Sequence, residues 1–179
     1  MKIFIAGARS VTCLDSAVLK KMYSIYQKGY YVLVGDCYGV DSAVQKFYSD
    51  LGYGNVAVYA SNGRARNNVG RWRVTSVPAP ATSHGFSFYR QKDIAMANDA
   101  DCGLMIWDCQ SIGTLNNIVS LALQSKIVVV YLTNAQKMIV LKSIDDVNAL
   151  MLHCAQKTRE VFLHIMSDAC ADGQLGIPM

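Results

Sequence analysis

"CGLMIWDCQSIGTLNNI", residues 102–118, is the stretch whose reading decides the fold. Cys102 to Trp107 is an apolar run of strand length. Asp108, Ser111, Gly113 and Thr114 make a polar, glycine-containing turn. From Thr114 apolar residues recur at helical spacing, which predicts a helix over 114–124, and a second apolar run follows at 126–132. Strand, turn, helix, strand is one crossover unit. Working back toward the N-terminus, the same alternation predicts strands at 2–6, 30–34 and 55–60 and helices at 14–28, 40–51 and 86–98. Apolar strands alternating with amphipathic helices pack as a parallel sheet wound by right-handed crossovers, with helices on both faces. Residues 61–85 lack a clean period and hold two of the three prolines, so they read as a long loop. Beyond Thr133 a short strand at 138–141 and a helix over 144–166, whole or broken, complete the pattern. The organisation expected is one domain over 1–179, with a core at 1–142, a helical extension at 143–170 and a frayed tail. The apolar positions of the extension fit packing on its own domain or a dimer contact.

Composition narrows the class. Half the residues are hydrophobic (52%) and mean hydropathy is slightly positive, which excludes a disordered chain. The longest uninterrupted apolar stretch, 127–132, is far short of the ~20 residues that span a bilayer. The apolar N-terminus is too short for a signal-peptide core, so the protein is expected to be cytoplasmic, with no membrane partner. The net charge of +4 is mild and fits a phosphate-bearing ligand. Six cysteines form no CxxC pair, and His84, His153 and His164 have no partner spacing for a metal or a triad. No metal and no cofactor is called for.

In an open parallel sheet, ligands bind beyond the carboxyl ends of the strands, near the point where the strand order reverses. The residues that follow each strand are therefore the candidates. Gly7, Arg9 and Ser10 follow the first strand. Gly35, Asp36, Gly39, Val40 and Asp41 follow the second. Asp108, Ser111, Gly113, Thr114 and Asn117 follow the fourth. Glycine permits close backbone approach, and the N–H groups at a helix start favour an anion. The hydroxyls of Ser111 and Thr114 can add donors, and Arg9 and Arg90 can neutralise phosphate. Asp36 suits ribose hydroxyls, Asp41 suits a helix cap, and Asp108 suits either a ligand or an Asx turn. Lys92 and Asp93 read as solvated. The loop from Asn62 to Arg73 carries four arginines and Trp72, which fits nucleic-acid contact or a solvated loop whose tryptophan packs back on the body.

"MKIFIAGARS", "LVGDCYGVDSAVQKF" and "YRQKDIAMANDADCGLMIWDCQSIGTLNNI" together resemble the SLOG superfamily. This Rossmann-like group includes the cytokinin-activating LOG phosphoribohydrolases, the DNA-processing protein DprA and the YpsA/YspA-like proteins, with nucleoside deoxyribosyltransferases more distant. The resemblance covers about residues 2–132. It implies a doubly wound, mostly parallel sheet of about five to seven strands. It also implies a nucleotide or NAD-derived ligand at the strand ends, and a homodimer or higher oligomer. Gly113-Thr114 stands where the hydrolases have the GT of PGGxGTxxE, and Arg90 is similar to the arginine that precedes the fourth strand in those enzymes. The position of their final glutamate is Asn117 here, and Asp108-Cys-Gln-Ser111 replaces the PGG, closer to the Asp…GT style of the deoxyribosyltransferases. Asparagine can hydrogen-bond a ribose but cannot serve as a carboxylate base or nucleophile.

Three readings stay open. The first is a nucleotide-binding protein that senses or sequesters its ligand. The second is an N-glycosidase or deoxyribosyltransferase-like enzyme using Asp108 or Asp36, with Arg90. The third is a DprA-like binder of single-stranded nucleic acid through the 64–73 loop.

Overall fold

The computed structural model describes residues 1–79 and 85–171, with the side chains of 85–87 and 170–171 set aside. His84 and residues 172–179 of the expected tail lie outside the described residues. The first half of the chain runs β1 (Lys2–Gly7), α1 (Ser16–Gln27), β2 (Tyr31–Val34), α2 (Val40–Asp50), β3 (Val56–Ser61) and β4 (Val74–Val77). The second half runs α3 (Gly85–Asp99), β5 (Cys102–Trp107), α4 (Ile112–Leu123), β6 (Ile127–Leu132), β7 (Lys137–Leu141), α5 (Ile144–Met151) and α6 (Gln156–Ala171). One sheet has the order β4-β3-β2-β1-β5-β6-β7, all parallel except β7, which returns antiparallel to β6. This is the α/β, Rossmann-like architecture expected.

Strand alternation divides the core into two layers. Ile3 and Ile5 of β1 and Leu104 and Ile106 of β5 pack with Val18 and Met22 of α1 and Val44 and Tyr48 of α2. Their neighbours Phe4, Ala6, Met105 and Trp107 face the other way, onto Met96 of α3 and Leu115 and Ile118 of α4. Both faces of the sheet are thus covered, which is why β1 and β5 read as unbroken apolar runs rather than alternating ones. Fully burying such a side chain contributes roughly 1.5–3 kcal/mol each. Three helix starts are capped by side chains. Asp15 accepts from the Ala17 N–H at α1, Ser111 caps α4, and Ser143 with Asp146 forms a reciprocal capping box at α5.

One correction concerns the stretch between β3 and α3. The 61–85 stretch is not loop throughout, because β4 lies within it as a partly buried strand at the edge of the sheet. Its four residues, Val-Thr-Ser-Val, are too few to make a visible apolar run. The helical segment expected over 144–166, whole or broken, is broken into two helices between Met151 and Gln156. Val147, Met151, Phe162 and Ile165 of this extension join the same hydrophobic layer as α4. No helix among the described residues is long and apolar enough to cross a membrane.

Candidate functional site

The chain lays β2, β3 and β4 outward on one side of β1, then returns through α3 to place β5 on the other side. The strand order reverses there, and a cavity of about 670 Å³ opens beyond the carboxyl ends of β1 and β5. Gly7, Arg9 and Ser10 wall it from β1. Asp108, Ser111, Gly113, Thr114 and Asn117 wall it from β5 and α4. Tyr89, Arg90, Lys92 and Asp93 of α3 and Asp41 of α2 complete it.

The α4 side is built by short-range polar contacts. Asp108 Oδ1 accepts the N–H groups of Gln110 (3.0 Å) and Ser111 (2.7 Å), and its Oδ2 accepts the Ser10 hydroxyl (2.8 Å). Burial disfavours the ionised Asp108. The two backbone bonds and the Ser10 hydroxyl outweigh it and hold the carboxyl below its ordinary range. Asp108 therefore forms an Asx turn. The Ser111 hydroxyl oxygen accepts from the Thr114 N–H (3.4 Å) and hydroxyl (3.0 Å). Among the described residues the N–H groups of Ile112 and Gly113 have no partner. A Cβ added at Gly113 would meet nothing within 4 Å. Asn117, one turn further on, is 5% exposed, lines the cavity and makes no side-chain hydrogen bond among the described residues. Neighbouring Asn116, by contrast, donates to the Ile112 carbonyl (2.9 Å).

The β2 side is filled by the protein's own groups. Asp36 receives Arg66 as a fork, with Nη2 at 2.7 Å from Oδ1 and Nε at 3.0 Å from Oδ2, and also accepts the Arg66 backbone N–H. Burial raises the Asp36 carboxyl, but the bonds from Arg66 and the charge of Lys92 overcome it and hold the group low. The Arg66 guanidinium lies 4.2 Å over the Tyr89 ring. Lys92, expected to be solvated, is buried. Its Nζ sits 2.7 Å from Asp93 and 3.9 Å from Asp36. Burial disfavours the Lys92 ammonium, yet the charges of Asp93 and Asp41 raise it above its ordinary value. Asp41, also buried, accepts the Cys37 N–H (3.0 Å). Its carboxyl is pushed up by burial, against the pull of Lys92, to about 6.

The glycines divide along the same line. A Cβ at Gly35 would fall 2.4 Å from Asp41 Oδ2 and 2.7 Å from Lys92 Nζ. Gly39 adopts φ +80°, and a Cβ there would fall 2.5 Å from the Arg9 backbone. The Val40 N–H points to the Ala8 carbonyl at 3.4 Å.

The cavity gathers Gly7, Arg9, Ser10, Asp41, Arg90, Asp108, Ser111, Gly113, Thr114 and Asn117. Gly35, Asp36, Gly39 and Val40 do not line it. Tyr89, Lys92 and Asp93 were missed as site residues. The helical spacing of Tyr89, Lys92 and Met96 (i, i+3, i+7) puts them on one face and was the signal available. In the arginine-rich loop, the Trp72 ring N–H donates to the Tyr53 carbonyl (2.7 Å), so this tryptophan packs on the body. Arg64, Arg71 and Arg73 are exposed. Among the described residues no His, Cys, Asp or Glu group of metal-binding size occurs.

No protein-family model matches the sequence, and no curated protein matches it. Among solved structures the chain is similar to DNA processing protein A from Helicobacter pylori, a protein described for its single-stranded DNA binding mode. The TM-score is 0.56 at 11% identity, over 94% of this chain and 81% of that one. Likeness at this identity is likeness of fold, and the chain shares that fold.

Proposed function

We propose that the cavity between β1 and β5 binds a nucleotide or a nucleotide-derived molecule, NAD-derived ligands included, and that the protein senses or sequesters it as a SLOG-type protein. The observation that carries this is Asn117, at the cavity wall with no partner among the described residues, beside two N–H groups at the start of α4 that likewise have none. Among the described residues no buried side-chain nitrogen or oxygen lacks a partner, so the unpaired Asn117 amide opens into the cavity, where a ligand can reach it. Phosphate would take the Ile112 and Gly113 N–H groups, where the helix dipole favours an anion. Ribose would take Asn117, and Arg9 and Arg90 would balance the charge.

A thermal-shift screen with nucleoside monophosphates, deoxynucleotides and NAD tests it. A ligand at a hundred times its Kd stabilises by about 2.7 kcal/mol. At least one ligand should raise Tm, and Asn117→Ala should diminish that rise. A flat screen would sink the proposal. Assaying the same mixtures for free base tests the enzymatic alternative. Asp36 and Asp108 already hold protein donors, so base release is not expected. Release abolished by Asp108→Asn would replace sensing with N-glycosidic cleavage.

The fold neighbour favours a second reading, since that protein binds single-stranded DNA. Exposed Arg64, Arg71 and Arg73 would supply phosphate contacts here. This reading requires oligonucleotide affinity that falls steeply with salt and is lost when those arginines become alanine.

A further inference from the structure

A second cavity of about 480 Å³ adjoins the first, walled by Ser61, Asn62, Arg64, Phe88, Tyr89 and the paired Asp36 and Arg66. Tyr89 lines both cavities. Each alone has the volume of a small-molecule site, where roughly 300–1,000 Å³ is usual. The divider between them is held in place rather than loose. Arg66, fixed by its fork onto Asp36, lies over the Tyr89 ring at 4.2 Å, and the Arg9 guanidinium lies 5.9 Å from the same ring. Arg9 belongs to the first cavity and Arg66 to the second, and both guanidiniums, each donating to Cys37 Sγ, lie beside the divider.

The second cavity is not a gap in the core. Phe88 and Tyr89 present rings in an edge-to-face pair (5.2 Å, 87°), which offers both a flat apolar surface and a polar edge. Arg64, exposed, forms no ion pair among the described residues and supplies a positive charge at the rim. Aromatic faces beside the unpaired Arg64 guanidinium suit a stacked base and its phosphate, with Arg66 already paired to Asp36.

We propose that the two cavities are subsites for one ligand carrying two nucleosides joined through phosphate, with the joining phosphate passing Tyr89 between Arg9 and Arg66. The inference rests on the nucleotide reading of the first cavity. The same chemistry comes from two sources, a free dinucleotide or two successive nucleotides of a single strand.

Calorimetric titration of the whole protein with AMP, GMP, CMP, UMP, the matching 5′-phosphorylated dinucleotides pApA, pGpG, pCpC and pUpU, and NAD tests it. At least one two-nucleoside probe should bind at least tenfold tighter than its mononucleotide. Arg64→Ala, at an exposed position where the fold is not at stake, should remove most of that advantage. Mononucleotides and dinucleotides binding within threefold of one another would overturn the two-subsite inference and leave the nucleotide reading standing. So would an Arg64→Ala variant that weakens both classes alike. Binding of neither class would overturn both readings. Where the dinucleotide advantage holds, homo-oligonucleotides of four and eight residues separate the sources. A plateau at two nucleotides assigns a free dinucleotide, and affinity that climbs with length assigns a single strand.

Discussion

The turn between β2 and α2 and the turn between β5 and α4 leave parallel neighbours on either side of β1, and each hands the chain to a helix. Both carry an aspartate directly after or close after the strand, a glycine near the helix start and a small polar residue. At β2 the aspartate is clamped by Arg66, the glycines are required by Asp41, Lys92 and the Arg9 backbone, and the first helix N–H points at Ala8. At β5 the aspartate only ties its own turn and Ser10, while Gly113 faces open space. The difference comes from α3. Its Lys92 and Tyr89 reach the β2 side and fill it, and among the described residues nothing equivalent covers the start of α4. A glycine-rich strand end is a binding turn only where the rest of the fold leaves it empty.

Removing Lys92 is the severest way to break the comparison. Lys92→Met would leave Asp41 and Asp93 without their cation in a buried setting, and losing one partner of such a group typically costs about 3–5 kcal/mol. The urea midpoint should fall accordingly. A variant of unchanged stability would mean that the charge cluster does not hold the β2 turn shut.

Gly35→Ala is next. Its Cβ would press on Asp41 and Lys92, and overpacking of this kind costs about 1–3 kcal/mol. Equilibrium unfolding of this variant against wild type measures the cost. A loss below about 0.5 kcal/mol would show that Gly35 answers to something other than these two side chains.

The sheet was legible in the sequence because β1, β2, β3, β5 and β6 are buried runs separated by glycine-marked turns. β4 escaped because a half-buried edge strand of four residues needs no apolar run. The cavity was legible from the rule that ligands gather at strand ends, and ten of the residues named from sequence do meet there. What the sequence could not rank was which turn is filled. Asp36 and Asp108 look alike in one dimension. Their difference lies in Arg66, thirty residues beyond Asp36, and in a lysine on the inward face of a helix whose charge argued for solvent. Long-range pairing of buried charges leaves no local pattern.

Asp41 gives an effect that depends on pH, and one with a sign. Its folded value, about 6, lies above the usual 3.8. The folded protein therefore holds the extra proton between those values, and this group's contribution to stability declines as pH climbs from about 4 to about 6. Asp41→Asn keeps an acceptor for the Cys37 N–H without the buried charge. It should match wild type near pH 4 and gain on it by up to about 3 kcal/mol at pH 7.5, since the shift is about two pKa units and each is worth about 1.4 kcal/mol. Tm measured for both proteins across this range checks it. A difference that shrinks with rising pH would reverse the assignment.

Gly113→Ala should have the least effect on the fold, and it sharpens the comparison most. The position lies in the first turn of α4 with nothing within 4 Å of an added Cβ. Alanine there loses less backbone entropy than glycine, so stability should hold or rise by up to about 1 kcal/mol. The methyl group would nevertheless stand in the space proposed for phosphate, between the Ile112 and Gly113 N–H groups and the ligand. The same variant should therefore lose at least tenfold in affinity for whichever nucleotide shifts the wild-type Tm. Gly35→Ala and Gly113→Ala would then move stability in opposite directions, although both glycines belong to strand-end turns that look alike in the sequence. Should Gly113→Ala destabilise the fold as Gly35→Ala does, the α4 turn would also be closed by protein atoms, and the distinction between the two strand ends would fall.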